Sequence, residues 1–68
     1  MSEPIIGSAY HSNGVTVHVH EVKDGMVYYQ RFHKGVEVQP FFDELWRKPL
    51  ATFMSEVVGA TLELPHKD

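Results

Sequence analysis

The sequence predicts a small, mostly β domain: an SH3-like, partly open barrel of short antiparallel strands with one short helix near the C-terminal end, with a twisted sheet capped by one helix as the alternative. Three observations lead there. Polar and apolar residues alternate in short runs rich in β-branched and aromatic side chains, as in "VTVHVHEV". The runs are separated by "HSNG", "KDG" and "HKG", which read as tight turns. One helical stripe, Leu50, Phe53, Met54 and Val57, precedes the last run.

The elements follow in order. Residues 1–9 form an N-terminal arm, where Pro4 discourages regular structure and Ile5, Ile6 and Tyr10 could anchor a short edge strand. His11 to Gly14 is a turn. From Val15 to Val22, Val15, Val17 and Val19 point one way, and Thr16, His18, His20 and Val22 the other. Asp24-Gly25 suits a type I′ hairpin turn. Met26 to Phe32 is the returning strand, and Val36 to Gln39 follows a second turn at His33 to Gly35.

Pro40 interrupts the pattern, and "FFDELW" fits either a helical turn or a strand, Glu44 to Arg47, that presents Trp46. Adjacent Phe41 and Phe42 cannot share a strand face, so one of them points away from the core unless the chain bends. Pro49 suits the start of the helix, which a single 3₁₀-like turn would satisfy, and Gly59 lets the chain leave it. Ala60 to Leu64 alternates as a closing strand, and residues 65–68 are a loose tail. Strands this short need closure or cover, because open edges invite association.

Size and composition limit the function. A chain of 68 residues makes one small domain, residues 1–68. About 60% of its surface can be buried, too little for a deep enclosed active site. There is no cysteine, so neither disulfides nor thiolate metal sites are available. No long apolar run or signal-peptide pattern occurs, and the expectation is a cytoplasmic protein with no membrane segment. The net charge of −3 argues against a general phosphate binder. Full protonation of the five histidines moves it to +2.

"VYYQRF" (Val27 to Phe32) followed by "LWRKPLATFMSEV" (Leu45 to Val57) resembles a group of small uncharacterised bacterial and phage-encoded β-rich domains. Tyr29, Gln30, Trp46, Arg47, Pro49, Leu50, Phe53 and Val57 carry the likeness over about half of the chain. Lys48, between Arg47 and Pro49, departs from the pattern. The resemblance puts Trp46 at the end of a strand, with a turn at Pro49, and so favours the strand for "FFDELW". It implies a phage or prophage setting and no particular chemistry.

The candidate binding residues are Tyr28, Tyr29, Arg31, Trp46, Arg47 and Lys48. Tyr, Trp and Arg are enriched at protein-binding hot spots, so a protein partner or self-association is the first expectation. The simpler role for Trp46 and one tyrosine is core, with the cations solubilising the turns. Aromatic faces beside cations also stack bases and hold phosphates, which makes nucleic acid the alternative, against the acidic net charge.

His18 and His20 are weak metal candidates. Two imidazoles on one strand face can reach one ion, but zinc wants three or four ligands. His11, His33, His66 and Glu21 are the possible additions, Glu21 only if the strand is irregular. The register decides the neighbours. A two-residue turn at Asp24-Gly25 sets His18 against Arg31, which repels a cation, and His20 against Tyr29. A three-residue turn sets His18 against Gln30 and His20 against Tyr28. Without a metal, both histidines are a pH-sensitive surface row.

Catalysis is the weakest class. Ser8, Ser12 and Ser55 lack a nucleophile elbow, Asp43 and Glu44 are adjacent instead of facing across a substrate, and the glycines are scattered. The expectation is a non-enzymatic binding module without a cofactor, a phage or prophage accessory protein.

Overall fold

The computed structural model describes residues 3–41 and 44–65. The strands are β1 (Ala9–Ser12), β2 (Val15–Lys23), β3 (Met26–His33), β4 (Val36–Val38), β5 (Trp46–Pro49) and β6 (Thr61–Glu63), with α1 (Leu50–Glu56) between the last two. They form one antiparallel sheet in the order β4-β3-β2-β1-β6, and β5 pairs β3. The sheet is not closed into a barrel: among the described residues, β6 pairs with neither β4 nor β5.

Consecutive hairpins build β1 to β4. Ser12 pairs Val15, Lys23 pairs Met26 and His33 pairs Val36, so each turn has two residues. Those residues, Asn13-Gly14, Asp24-Gly25 and Lys34-Gly35, all have positive φ. This is the type I′ geometry, whose twist matches that of the flanking strands. His11 and Ser12 therefore belong to β1, and the first turn is shorter than "HSNG".

β4 and β5 run in the same direction along one edge of β3. β4 covers Arg31–His33 and β5 covers Met26–Tyr29. The two act as one strand interrupted opposite Gln30. Trp46 Nε1 donates to the Val38 carbonyl at 2.6 Å and ties the two pieces together. A strand does present Trp46, but it runs Trp46–Pro49 and not Glu44–Arg47, so Trp46 opens it instead of ending it, and Pro49 is its last residue instead of a turn. Phe41 is 91% exposed. The question of Phe42, like Asp43 and tail residues 66–68, falls outside the described residues.

The sheet has a face covered by α1 and an open face. Val19, Val27, Tyr29 and Phe53 form the buried core, with Tyr10, Val17, Val22, Trp46, Leu50, Met54 and Val57 packed on it. The whole helical stripe read from sequence thus faces the sheet. α1 is a seven-residue α-helix, longer than a 3₁₀ turn. Pro49 caps it without a side-chain bond, and the Leu50 N–H instead donates to the Gly25 carbonyl at 2.8 Å. The β2–β3 turn therefore satisfies one of the helix's orphan donors.

Val22 corrects the sequence reading, which put it on the face of His18 and His20. A β-bulge at His20 inserts one residue between Val19, opposite Tyr29, and Glu21, opposite Tyr28. Beyond the bulge the alternation is shifted, and Val22 pairs Val27 and joins the core. One extra residue reverses the face of everything after it.

The N-terminal arm is anchored differently from expectation. Ile5 and Ile6 are exposed, while Pro4, Ser8 and Ala9 are buried. Ser8 Oγ and the Ser8 N–H both donate to the Ile5 carbonyl, at 2.5 and 3.0 Å. Gly7 N–H donates to the Val19 carbonyl at 2.9 Å, and the Val19 N–H donates to the Ser8 carbonyl at 2.8 Å. These bonds satisfy the fully buried Ser8 and seat the arm on β2.

Candidate functional site

The alternation of β3 and β5 divides the predicted binding residues. Tyr29 faces Trp46 and Val27 faces Lys48, which puts Tyr29, Arg31, Trp46 and Lys48 on the covered face. Tyr28 pairs Arg47 on the opposite face. The six residues are therefore two groups: four share a face, and three of those, Tyr29, Arg31 and Lys48, line one cleft, with Trp46 beside it under Arg31.

Those four meet residues from other elements that the sequence did not single out for binding. A cleft of ≈190 Å³ lies between α1 and the sheet. Tyr10, Val17, Tyr29, Phe53 and Val57 give it apolar walls, and Arg31, Lys48 and Glu56 also line it. Phe53 meets Tyr10 edge-on at 5.8 Å between ring centroids and Tyr29 at 5.3 Å with tilted planes. Such pairs are favourable geometries that fix the floor. Tyr10 and Phe53 were legible as apolar positions. Their convergence with Tyr29 needs β1 and α1 to meet over β3, a long-range fact that strand periodicity does not carry.

The polar groups are also organised. Lys48 Nζ pairs with Glu56 Oε1 across the helix–sheet junction. The Arg31 guanidinium lies over the Trp46 ring, 5.8 Å from its centroid. Stacking on indole restricts a long side chain and leaves its donors available. Burial pushes the Tyr29 hydroxyl above its ordinary value of 10.0, partly opposed by Lys48 and Arg31 and reinforced by Glu56. All three charges therefore act on one hydroxyl.

The histidine pair takes a register that neither turn length alone foresaw. The turn has two residues, yet the bulge sets His18 against Gln30 and leaves His20 without a cross-strand partner. Arg31 instead pairs Val17 on the covered face and does not oppose His18. Among the described residues His18 Nδ1 is buried and has no hydrogen-bond partner. His11 is committed elsewhere: its Nδ1 is 2.8 Å from Thr16 Oγ1 and its Nε2 is 2.7 Å from Glu63 Oε1. No group of three or more His, Asp or Glu able to hold a metal occurs among the described residues. His66 lies outside them.

No described helix is long and apolar enough to cross a membrane. Compared with known proteins, the chain matches no family model, no curated protein and no solved structure.

Proposed function

We propose that this chain is a small non-enzymatic binding module that engages a protein partner through the cleft beneath α1. One observation carries the reading: an aromatic floor of Tyr10, Tyr29 and Phe53 beside a guanidinium stacked on Trp46. Protein hot spots combine such apolar anchors with arginine. The SH3-like assignment belongs to the same proposal. It is supported by the helix set between the last two strands and by β6 returning to pair β1. The resemblance through Trp46, Pro49 and Phe53 supports a phage or prophage accessory role, in the cytoplasm.

Self-association is the second reading, and the sheet edges favour it. β4 and β6 are exposed along their whole length, with Val36, Val38 and Leu62 outward. Unpaired edges bearing apolar side chains are templates for another strand. Nucleic acid is less favoured, because Lys48 is paired with Glu56 and Trp46 already stacks with Arg31.

Trp46→Ala is a poor test, since Trp46 holds β4. Arg31→Glu is better, because Arg31 is exposed and in no ion pair among the described residues. The chain and this variant, matched by circular dichroism, are screened against a display library of random peptides. Enrichment by the parent alone supports the cleft. Enrichment by neither, with salt-sensitive retention of oligonucleotides, transfers the function to nucleic acid. Concentration-dependent dimerisation that Leu62→Lys abolishes supports the edge reading.

A further inference from the structure

We infer, on the protein-binding reading above, that the cleft captures the C-terminal residue of a partner chain. Its apolar side chain sits against Tyr10, Val17 and Val57, above the buried Tyr29 and Phe53, and its carboxylate lies against Arg31. The size of the cleft sets the occupant. At ≈190 Å³ it is smaller than the ~300–1,000 Å³ of sites that enclose drug-sized ligands. It has room for about one residue.

The lining sets the chemistry. The floor is aromatic and aliphatic, while two cations and one carboxylate share the rim. Glu56 is matched to Lys48, and no carboxylate pairs with Arg31 among the described residues. Among the described residues the site therefore carries one uncompensated positive charge, on a protein whose formal net charge is −3. Guanidinium binds carboxylates through paired N–H donors, and its stacking on Trp46 lowers the ordering cost of doing so. A C-terminal residue carries an apolar side chain and a carboxylate on one α-carbon, so both fit a one-residue space. An internal Asp or Glu would meet Arg31 but leave the apolar walls at Tyr10, Val17 and Val57 uncovered.

The probe is N-acetyl-phenylalanine, with its uncharged carboxamide as the matched control. Trp46 is the chain's single tryptophan and lies under Arg31, so its emission reports occupancy. The acid is expected to change that emission saturably and to shift the amide resonances of Tyr29, Arg31, Lys48 and Phe53. The carboxamide is expected to bind about tenfold more weakly. Arg31→Gln, with an unchanged circular dichroism spectrum, is expected to bring the acid down to the level of the carboxamide. The acid–carboxamide comparison on the parent chain needs no variant and reads the carboxylate's contribution even if Arg31→Gln misfolds. Equal binding of acid and carboxamide, no binding of either, or shifts outside the cleft would overturn the inference. Library peptides enriched by the parent without a free apolar C-terminal residue would also overturn it, while leaving the protein-binding reading intact. If the acid binds but no peptide is enriched, both fall.

Discussion

The two halves of β3 follow the same alternation and meet different fates. Along Met26–Tyr29 the strand pairs β5, and Val27 and Tyr29 are 0% and 4% exposed. Along Arg31–His33 it pairs β4, where Arg31, His33, Val36 and Val38 are all exposed. The pattern of side chains does not explain this difference. The cover does: α1 packs on β5 and β3, and its buried Phe53 reaches Tyr29. A seven-residue helix is about 10 Å long, far shorter than an eight-residue strand. Alternation says which side chains share a face. It does not say whether that face is dry.

Removing the cover breaks the comparison at its strongest point. Phe53→Ala is expected to cost about 3–5 kcal/mol. That rivals the whole stability of a small domain, roughly 5 kcal/mol. Thermal melting followed by circular dichroism reads it. A variant that melts within a few degrees of the parent would show that Phe53 does not seal the β5 half.

Trp46→Phe tests the joint between the halves. It removes the indole donor to Val38 and weakens the Arg31 stack, for about 1–2 kcal/mol in all. Hydrogen exchange is expected to quicken in β4 more than in β5. Equal quickening in both would mean that the indole does not hold β4.

Tyr29 sharpens the comparison through alkaline pH. Burial raises its pKa in the folded state above the ordinary 10.0, so folding favours the protonated phenol. Its contribution to stability is complete below pH 10 and is lost as pH rises through the folded-state pKa. Tyr29→Phe is expected to flatten that part of the alkaline decline in the urea midpoint. The phenolate absorbance that Tyr29→Phe removes is expected to develop above pH 10. Development of that absorbance at or below pH 10 would place water at Tyr29.

The smallest effect is expected on the β4 side. Val36 is 68% exposed, and Val36→Thr is expected to stay within about 0.5 kcal/mol by urea titration. A loss several times larger would reveal an apolar contact that the exposed β4 half otherwise lacks.

Much of the fold was legible locally. The turn at Asp24-Gly25 follows from backbone sterics, and the stripe Leu50, Phe53, Met54, Val57 from helical period. Neither depends on distant residues. Val22 shows where local reading stops. Nothing in "VHEV" marks His20 as a bulge, and the bulge meets the place where the Gly7–Ser8 arm bonds Val19. The site was half legible: Tyr29, Arg31, Trp46 and Lys48 were named and share a face, but Tyr28 and Arg47 do not join them. The registers of β3 against β5 had to be known to separate them, and the loop opposite Gln30 erases the count that would predict it.

The sequence by itself determined the antiparallel hairpins, the helix and its apolar stripe, and the absence of cysteine chemistry. Those properties reside in single residues or in neighbours along the chain. Only the tertiary structure decided that β5 continues the line of β4, that α1 covers one half of β3, and that Tyr10, Phe53 and Glu56 complete the cleft. The physical reason is range. Turn and helix preferences act over a few residues, whereas register and cover are set by which distant surfaces exclude water together.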